Sequence, residues 1–273
     1  MPKTHVEAHT FESNFTIDEL DDSLTLLETR LPQRAATKPA MLGRSYGTLF
    51  GDACWAYSLD ERPIALRFLG AAFDCASALF SAGVARQDFE FTLDGRRYVG
   101  PAGDATNANE ALWLDSFFLG MSLGRTSQLD GHLAFSTERL REAQGVGDEF
   151  RYTLVDALKA FWTEDPAWVV LAERALAQSE VDALTIMPPK MAEPYRAVAR
   201  ALTPIAAGDQ GAFDAALVDV LEAHKAYYGR GAPSRGCDSL LSLAACGVAG
   251  LGLRRGLKIG VTSGYMPEWV FEG

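Results

Sequence analysis

The sequence predicts a mainly α fold, a helical array of about nine or ten antiparallel-packed helices with a small β element. Three observations carry this reading. Apolar residues recur at three- and four-residue spacing through most of the 273 residues. A single hairpin signature, Asp94-Gly95, stands between two runs of alternating apolar and polar residues. A short alternating stretch, Leu257 to Thr262, follows the last apolar helix. A hydrophobic share of 48% at this length can build a sizeable core without metal or disulfide. The chain 1–273 therefore reads as one mainly helical domain, and a subdivision into 1–145 and 146–273 is also compatible.

The elements follow in order. Thr16 with Glu19 forms a capping-box pattern, Ile17, Leu20, Leu24, Leu27 and Leu31 share one helical face, and Pro32 is a stop signal. Two Ala-rich helices are expected from Thr48 to Leu59 and from Pro63 to Ser81, the second ending near Gly83. Phe89, Phe91 and Leu93 alternate with polar residues before Asp94-Gly95, and Tyr98 and Val99 begin the return strand, which places a hairpin near 89–99. Leu112, Phe117, Phe118 and Met121 give the next helix an apolar surface on more than one side. Further helices follow in "FSTERLREAQ", "DEFRYTLVDALKAFWTED" and, opening on Asp165-Pro166, "DPAWVVLAERALAQSE". Met187-Pro188-Pro189 breaks the chain. A helix pair is then expected, Tyr195 to Ala207 with a kink or early end at Pro204, and Gln210 to Tyr228. A last helix runs from a cap at Asp238 or Ser239 to Arg255, with Gly256 closing it and a C-terminal strand at 257–262 pairing with the hairpin's edge.

Composition narrows the function classes. The formal net charge is -11, and Glu7, Glu12, Asp18, Glu19, Asp21, Asp22 and Glu28 face only Lys3 and Arg30 within the first thirty residues. Such a surface disfavours nucleic acid and anionic lipid and suits a basic protein partner, with Asp18, Glu19, Asp21 and Asp22 as its candidate contact. The N-terminus lacks a secretory pattern, and the longest apolar run, Leu240 to Leu253, is shorter than the roughly 20 residues a membrane helix needs. A cytoplasmic location is expected.

No constellation of residues reads as catalytic. Gly43 to Gly47, "GRSYG", matches a nucleophile elbow with Ser45 at its centre, but no strand precedes it, so a glycine-flanked loop is the better reading than an esterase. "GLGLRRG", Gly250 to Gly256, ends a helix instead of opening one and reads as small residues for packing, not as a phosphate loop. Cys54, Cys75, Cys237 and Cys246 lack metal spacing; they read as structural thiols, with Cys237 the most exposed. His5 and His9 fall in an N-terminal segment expected to be mobile, and His132 in a loop. His224 shares a face with Phe213, Leu217, Val220, Leu221 and Tyr228 and reads as a hydrogen-bonded core histidine. No metal site and no cofactor is expected.

The C-terminal third, best over 210–270, carries "EAHKAYYG", the apolar run "DSLLSLAACGVAGLGL" and "RRGLKIGVTSGYMP". This succession resembles the immunity protein 49 family of bacterial polymorphic toxin systems, with His224, Tyr227, Tyr228, Arg255, Gly256, Ser263, Tyr265 and Pro267 at the positions of the family pattern. Gly264 and Met266 depart from the usual acidic residue and leucine, and Tyr228 stands where tryptophan is common. The resemblance implies a non-enzymatic antidote that binds and neutralises a cognate toxin domain. The alternative reading of the residues alone is a helical scaffold or adaptor for another partner.

Overall fold

A computed structural model describes residues 3–11, 15–103, 105–143, 147–231 and 236–272. In chain order the elements begin with β1 (Thr4–Val6), α1 (Ile17–Thr37), α2 (Leu42–Ser58), α3 (Arg62–Val84), β2 (Phe89–Leu93) and β3 (Arg96–Gly100). Next come α4 (Glu110–Ser122), α5 (Asp130–Ala134), α6 (Thr137–Glu142), α7 (Glu149–Trp162) and α8 (Trp168–Gln178). The chain continues with α9 (Pro189–Ala207), α10 (Gln210–Tyr228), α11 (Leu243–Arg254), β4 (Val261–Ser263) and a closing 3-10 turn, Glu268–Phe271. The fold is mainly α, as predicted, with eleven α-helices among the described residues instead of nine or ten. The one not anticipated is the short α5, too brief for periodicity to separate from loop; α6 lies within the helix expected in "FSTERLREAQ".

The chain divides into two compact units. One comprises Phe11–Gly120 and Arg125–Gly145. Its central helix is α3, which buries Phe68, Leu69, Phe73, Leu79 and Phe80, each contributing about 1.5–3 kcal/mol by leaving water. By length and composition α3 could cross a membrane, yet 72% of its most apolar window lies buried inside the protein, as in a core helix. It is longer than the apolar run at 240–253 but is interrupted by Arg67 and Asp74, and the fold uses both charges. Arg67 donates twice to the Asp94 carboxylate, at 3.0 and 2.7 Å, and once to Glu28 at 2.8 Å. Asp74 accepts from the Asp94 backbone N–H at 3.0 Å and from Arg125 at 2.7 Å. The β2–β3 hairpin, antiparallel with Leu93 opposite Arg96, is thereby pinned by its turn to α3. Its two turn residues have positive φ, 49° at Asp94 and 74° at Gly95, the conformation that makes Asp-Gly the preferred pair here.

Several local expectations for this unit change. The capping box forms, with Glu19 accepting from the Thr16 N–H at 2.8 Å, but Pro32 does not stop α1, which continues to Thr37. Leu20, Leu27 and Leu31 are buried, whereas Ile17 is exposed at the first turn. "GRSYG" is not a loop: Gly43 to Gly47 lie inside α2, and Ser45 donates back to the Met41 carbonyl at 3.2 Å. With no strand turning into that helix, the geometric basis for an esterase elbow is gone. His132 is in α5, fully buried, its Nε2 2.9 Å from the Ser116 hydroxyl and its ring against Phe73 and Phe80.

The other unit comprises Met1–Thr10, Met121–Gly124 and Val146–Glu272. Here α7, α8, α9, α10 and α11 pack around Phe150, Leu154, Leu158, Val198, Leu202, Phe213, Leu217 and Val248. Pro189 opens α9 rather than breaking the chain for longer, and Pro194 and Pro204 are both accommodated within it; Gly208, at φ 66°, ends it. α8 begins at Trp168, and Asp165 caps the turn before it through the Ala167 N–H. The cap of α11 is Ser242, not Asp238 or Ser239, which form a short 3-10 turn with residue 237. Gly250 and Gly252 do serve packing: a Cβ at 250 would meet the Met121 backbone, and one at 252 the Phe213 ring. Cys54 and Cys75 in the first unit and Cys246 in this one are buried thiols. The Cys237 side chain and Glu12 lie outside the described residues.

The terminal strand is where expectation and structure part most. It spans Val261–Ser263, not 257–262, and pairs in parallel with β1, Thr4 opposite Val261 and Val6 opposite Ser263; it does not meet the hairpin. The reason is local. Gly256, at φ 81°, closes α11 with two hydrogen bonds, Leu257 N–H to the Gly252 carbonyl and Gly256 N–H to that of Leu253, both 3.0 Å. The following backbone is then taken by side chains of α10. Gln210 accepts from the Lys258 N–H at 2.9 Å and donates to the Lys258 carbonyl at 2.7 Å, and Asp214 accepts from the Gly260 N–H at 3.1 Å. Those groups have no ladder bonds left to offer.

Candidate functional site

The family-pattern residues gather in two places. His224 projects from α10, buried, and its Nε2–H donates to the Ser239 carbonyl at 3.0 Å. Tyr228, one helical turn on, lies against the imidazole with ring centroids 4.5 Å apart, and Tyr227 stacks edge-on to Tyr228 at 4.7 Å. Tyr265, fully buried, meets the His224 ring edge-to-face at 4.8 Å. Its position is set by a turn: Ser263 Oγ accepts from the Tyr265 N–H at 3.2 Å, and the Tyr265 carbonyl accepts from the Ser242 N–H at 2.8 Å. Pro267, also buried, precedes the closing 3-10 turn.

His9 completes this cluster. The Tyr265 hydroxyl accepts from the His9 backbone N–H at 2.9 Å and can donate to His9 Nδ1 at the same distance. In that tautomer the His9 Nε2–H points at Ser239 Oγ, 3.3 Å away. His5 is likewise held, 3.1 Å from Thr262 Oγ1, so neither histidine sits on a loose segment as expected. The arrangement ties the start of the chain, α10, the cap of α11 and the C-terminal strand into one clamp. Sequence reasoning missed the roles of His9 and Ser242 and offered Ser239 only as a helix cap; the pairing of Thr4–Val6 with Val261–Ser263 is what brings His9 near Tyr265.

The clamp is built for neutral groups. Burial pushes the His224 pKa from its ordinary 6.5 down to about 4; His9 adds to this, while the Ser239 carbonyl and Asp238 oppose it. Burial also raises the Tyr265 pKa, against the His9 N–H bond, which lowers it. Buried and tied in by hydrogen bonds and ring contacts, His224 and Tyr265 hold this part of the fold together.

Arg255 and Gly256 belong elsewhere, at the far end of α11, roughly 18 Å from its cap given 1.5 Å of rise per residue. There Arg255 Nη1 donates to Glu164 Oε1 at 3.0 Å and its guanidinium lies 5.3 Å from the Phe161 ring centre. Arg254 stacks over Trp162 at 3.9 Å. Phe161, Trp162, Glu164, Leu251, Arg254 and Arg255 line a cleft of about 340 Å³. The acidic residues lie in the other unit: Asp18, Glu19, Asp21 and Asp22 are all exposed on α1, but Glu19 is engaged in the capping box, which leaves the three aspartates as the outward charge. Among the described residues no group of three or more His, Cys, Asp or Glu is placed to hold a metal ion.

Comparison with known proteins gives one match. The family model described as immunity protein 49 matches residues 62–270, so it extends well upstream of the C-terminal motifs and takes in the hairpin, α3 and α4. No curated protein and no solved structure matches the chain. With most of its length matched, the chain belongs to the immunity protein 49 family.

Proposed function

We propose that this chain is the antidote of a toxin–immunity pair: it binds a cognate toxin domain of a polymorphic toxin system in the cytoplasm and blocks its action without catalysis. The match over residues 62–270 carries the reading. The structure supports it in one further respect. The C-terminal family residues are used to lock a scaffold, which is what a protein needs when its task is to present a surface in fixed geometry.

The charge supports a finer version. With a net charge of -11 and Asp18, Asp21 and Asp22 outward on α1, the protein suits a toxin with a basic cleft, such as one that attacks nucleic acid or nucleotides. The test is co-expression with the toxin domain encoded beside this gene. The expected outcome is that cells survive the toxin only when this chain is present and that the two co-purify; killing that the chain does not relieve would sink the proposal.

A further inference from the structure

The arginine cleft at the ends of α7 and α11 carries a net positive charge on an otherwise acidic chain, and its two guanidinium groups are held differently. Arg255 faces Phe161 and already binds one carboxylate, that of Glu164 at 3.0 Å. Glu164 is solvent-exposed, 73% for its side chain, and sits at φ 60° in the left-handed position that ends α7. Arg254 sits over the Trp162 ring, its Cζ 3.9 Å from the ring centre, and forms no ion pair among the described residues. A stacked guanidinium keeps its donor edge free in the plane of the group, the geometry that takes a carboxylate through two parallel N–H···O bonds. The cleft beside it has about 340 Å³, enough for an acidic side chain, and Leu251 contributes an apolar wall. Trp168 packs edge-on against Phe161 at 5.3 Å, and the two residues after it, Val169 and Val170, are exposed. Tryptophan and arginine around a recess, with apolar residues nearby, is the composition of a binding hot spot.

We infer that this cleft is a docking point for the cognate toxin and that it receives an aspartate or glutamate side chain of that toxin against Arg254. The inference rests on the proposed function for its partner. Charge selects the occupant: two arginines less one glutamate leave a single positive charge, which matches a monoanionic carboxylate. A doubly charged phosphate would meet the Glu164 carboxylate and the net charge of -11. Arg255→Ala would not test this, because it also removes a family-pattern residue from its ion pair with Glu164. Arg254 is the residue to change.

The experiment measures affinity for the toxin domain encoded beside this gene, using the full chain. Arg254→Glu is expected to weaken binding at least tenfold while the chain stays folded, its thermal midpoint lowered by only a few degrees through loss of the Trp162 contact, and Arg254→Lys to weaken binding less. Changing toxin acidic residues one at a time to arginine is expected to yield one that restores binding to Arg254→Glu. Wild-type affinity in Arg254→Glu, or rescue by none of the toxin changes, overturns the cleft proposal and leaves the antidote reading standing; no binding by the wild-type chain overturns both. Independently of the toxin, the Arg254 Nε–H NMR signal of the wild-type chain is expected to shift on titration with an acetylated glutamate hexapeptide. A larger response to inorganic phosphate at matched ionic strength would overturn the choice of a carboxylate.

Discussion

At the scale of single residues, His224 gives the clamp a pH signature whose sign follows from its environment. Burial holds its folded-state pKa near 4, below the ordinary 6.5 of the unfolded chain. Between those values the unfolded chain takes up a proton that the folded chain refuses, so folding stability falls as pH drops from 6.5 to 4 and is present in full above 6.5. A gap of this size corresponds to roughly 3 kcal/mol. Two carboxyl groups act in the opposite sense. Burial raises Asp52, opposed by a hydrogen bond from Ser23, and raises Asp74, opposed by Arg125, both to about 6. Each binds a proton more readily when folded and so favours the folded state as pH falls from 6 toward 3.8. The measurement is therefore a difference: denaturant unfolding of the wild type and of His224→Gln at several pH values. The wild type is expected to lose about 3 kcal/mol relative to the variant between pH 7 and pH 4. A pH-independent difference would mean that His224 is not held neutral.

At the scale of elements, Gly256 decides where α11 ends and where the terminal segment goes. A Cβ there would touch nothing within 4 Å, so Gly256→Ala acts only through the backbone at φ 81°. The expected cost is about 1–2 kcal/mol in denaturant unfolding, with faster hydrogen exchange at Val261 and Ser263, since β4 is registered from this turn; unchanged exchange there would detach the strand from the turn. This stop, the helices around it and the hairpin were all legible in the sequence because each depends on neighbours within a few positions. Thr16 and Glu19 cap each other, and Asp94-Gly95 turns the hairpin. What could not be read depends on distant partners. Thr4–Val6 is too short for a strand signal, and its pairing with Val261–Ser263 has no local cause. Gln210 and Asp214 look like ordinary polar positions on a helix until the backbone of Lys258 and Gly260 arrives to be bound. The same holds for the candidate site. His224 was recognisable as a core histidine from its apolar helical face, whereas its hydrogen-bond acceptor at Ser239 and the contribution of His9 came only with the fold. The arginine cleft was half visible, as the Arg255-Gly256 stop, but Arg254 acquires its role from Trp162, which belongs to α7.

At the scale of the whole molecule the dominant quantity is charge. A chain at -11 attracts a basic partner before contact, and over a separation greater than the Debye length, about 8 Å at physiological salt, that attraction is screened. If an antidote must reach its toxin before damage accumulates, association speed is what the acidic surface supplies, and it should depend on salt while the dissociation rate, governed by close contacts, depends on it much less. The capping-box role of Glu19 tells which charges can be changed without unwinding α1: Asp18, Asp21 and Asp22 are exposed, and Asp18 alone lies in the first turn, where its negative charge favours the helix. We therefore expect the association rate with the toxin domain to fall about tenfold or more between 50 and 500 mM salt. We also expect the combined Asp21→Lys and Asp22→Lys variant to associate several-fold more slowly at low salt, with the two chains converging at high salt. Stopped-flow binding across that salt range, alongside the thermal midpoint of each chain, makes the comparison. Association that ignores ionic strength would remove electrostatic steering and with it the argument for a basic toxin cleft, and would leave family membership and the arginine cleft to be judged on their own measurements.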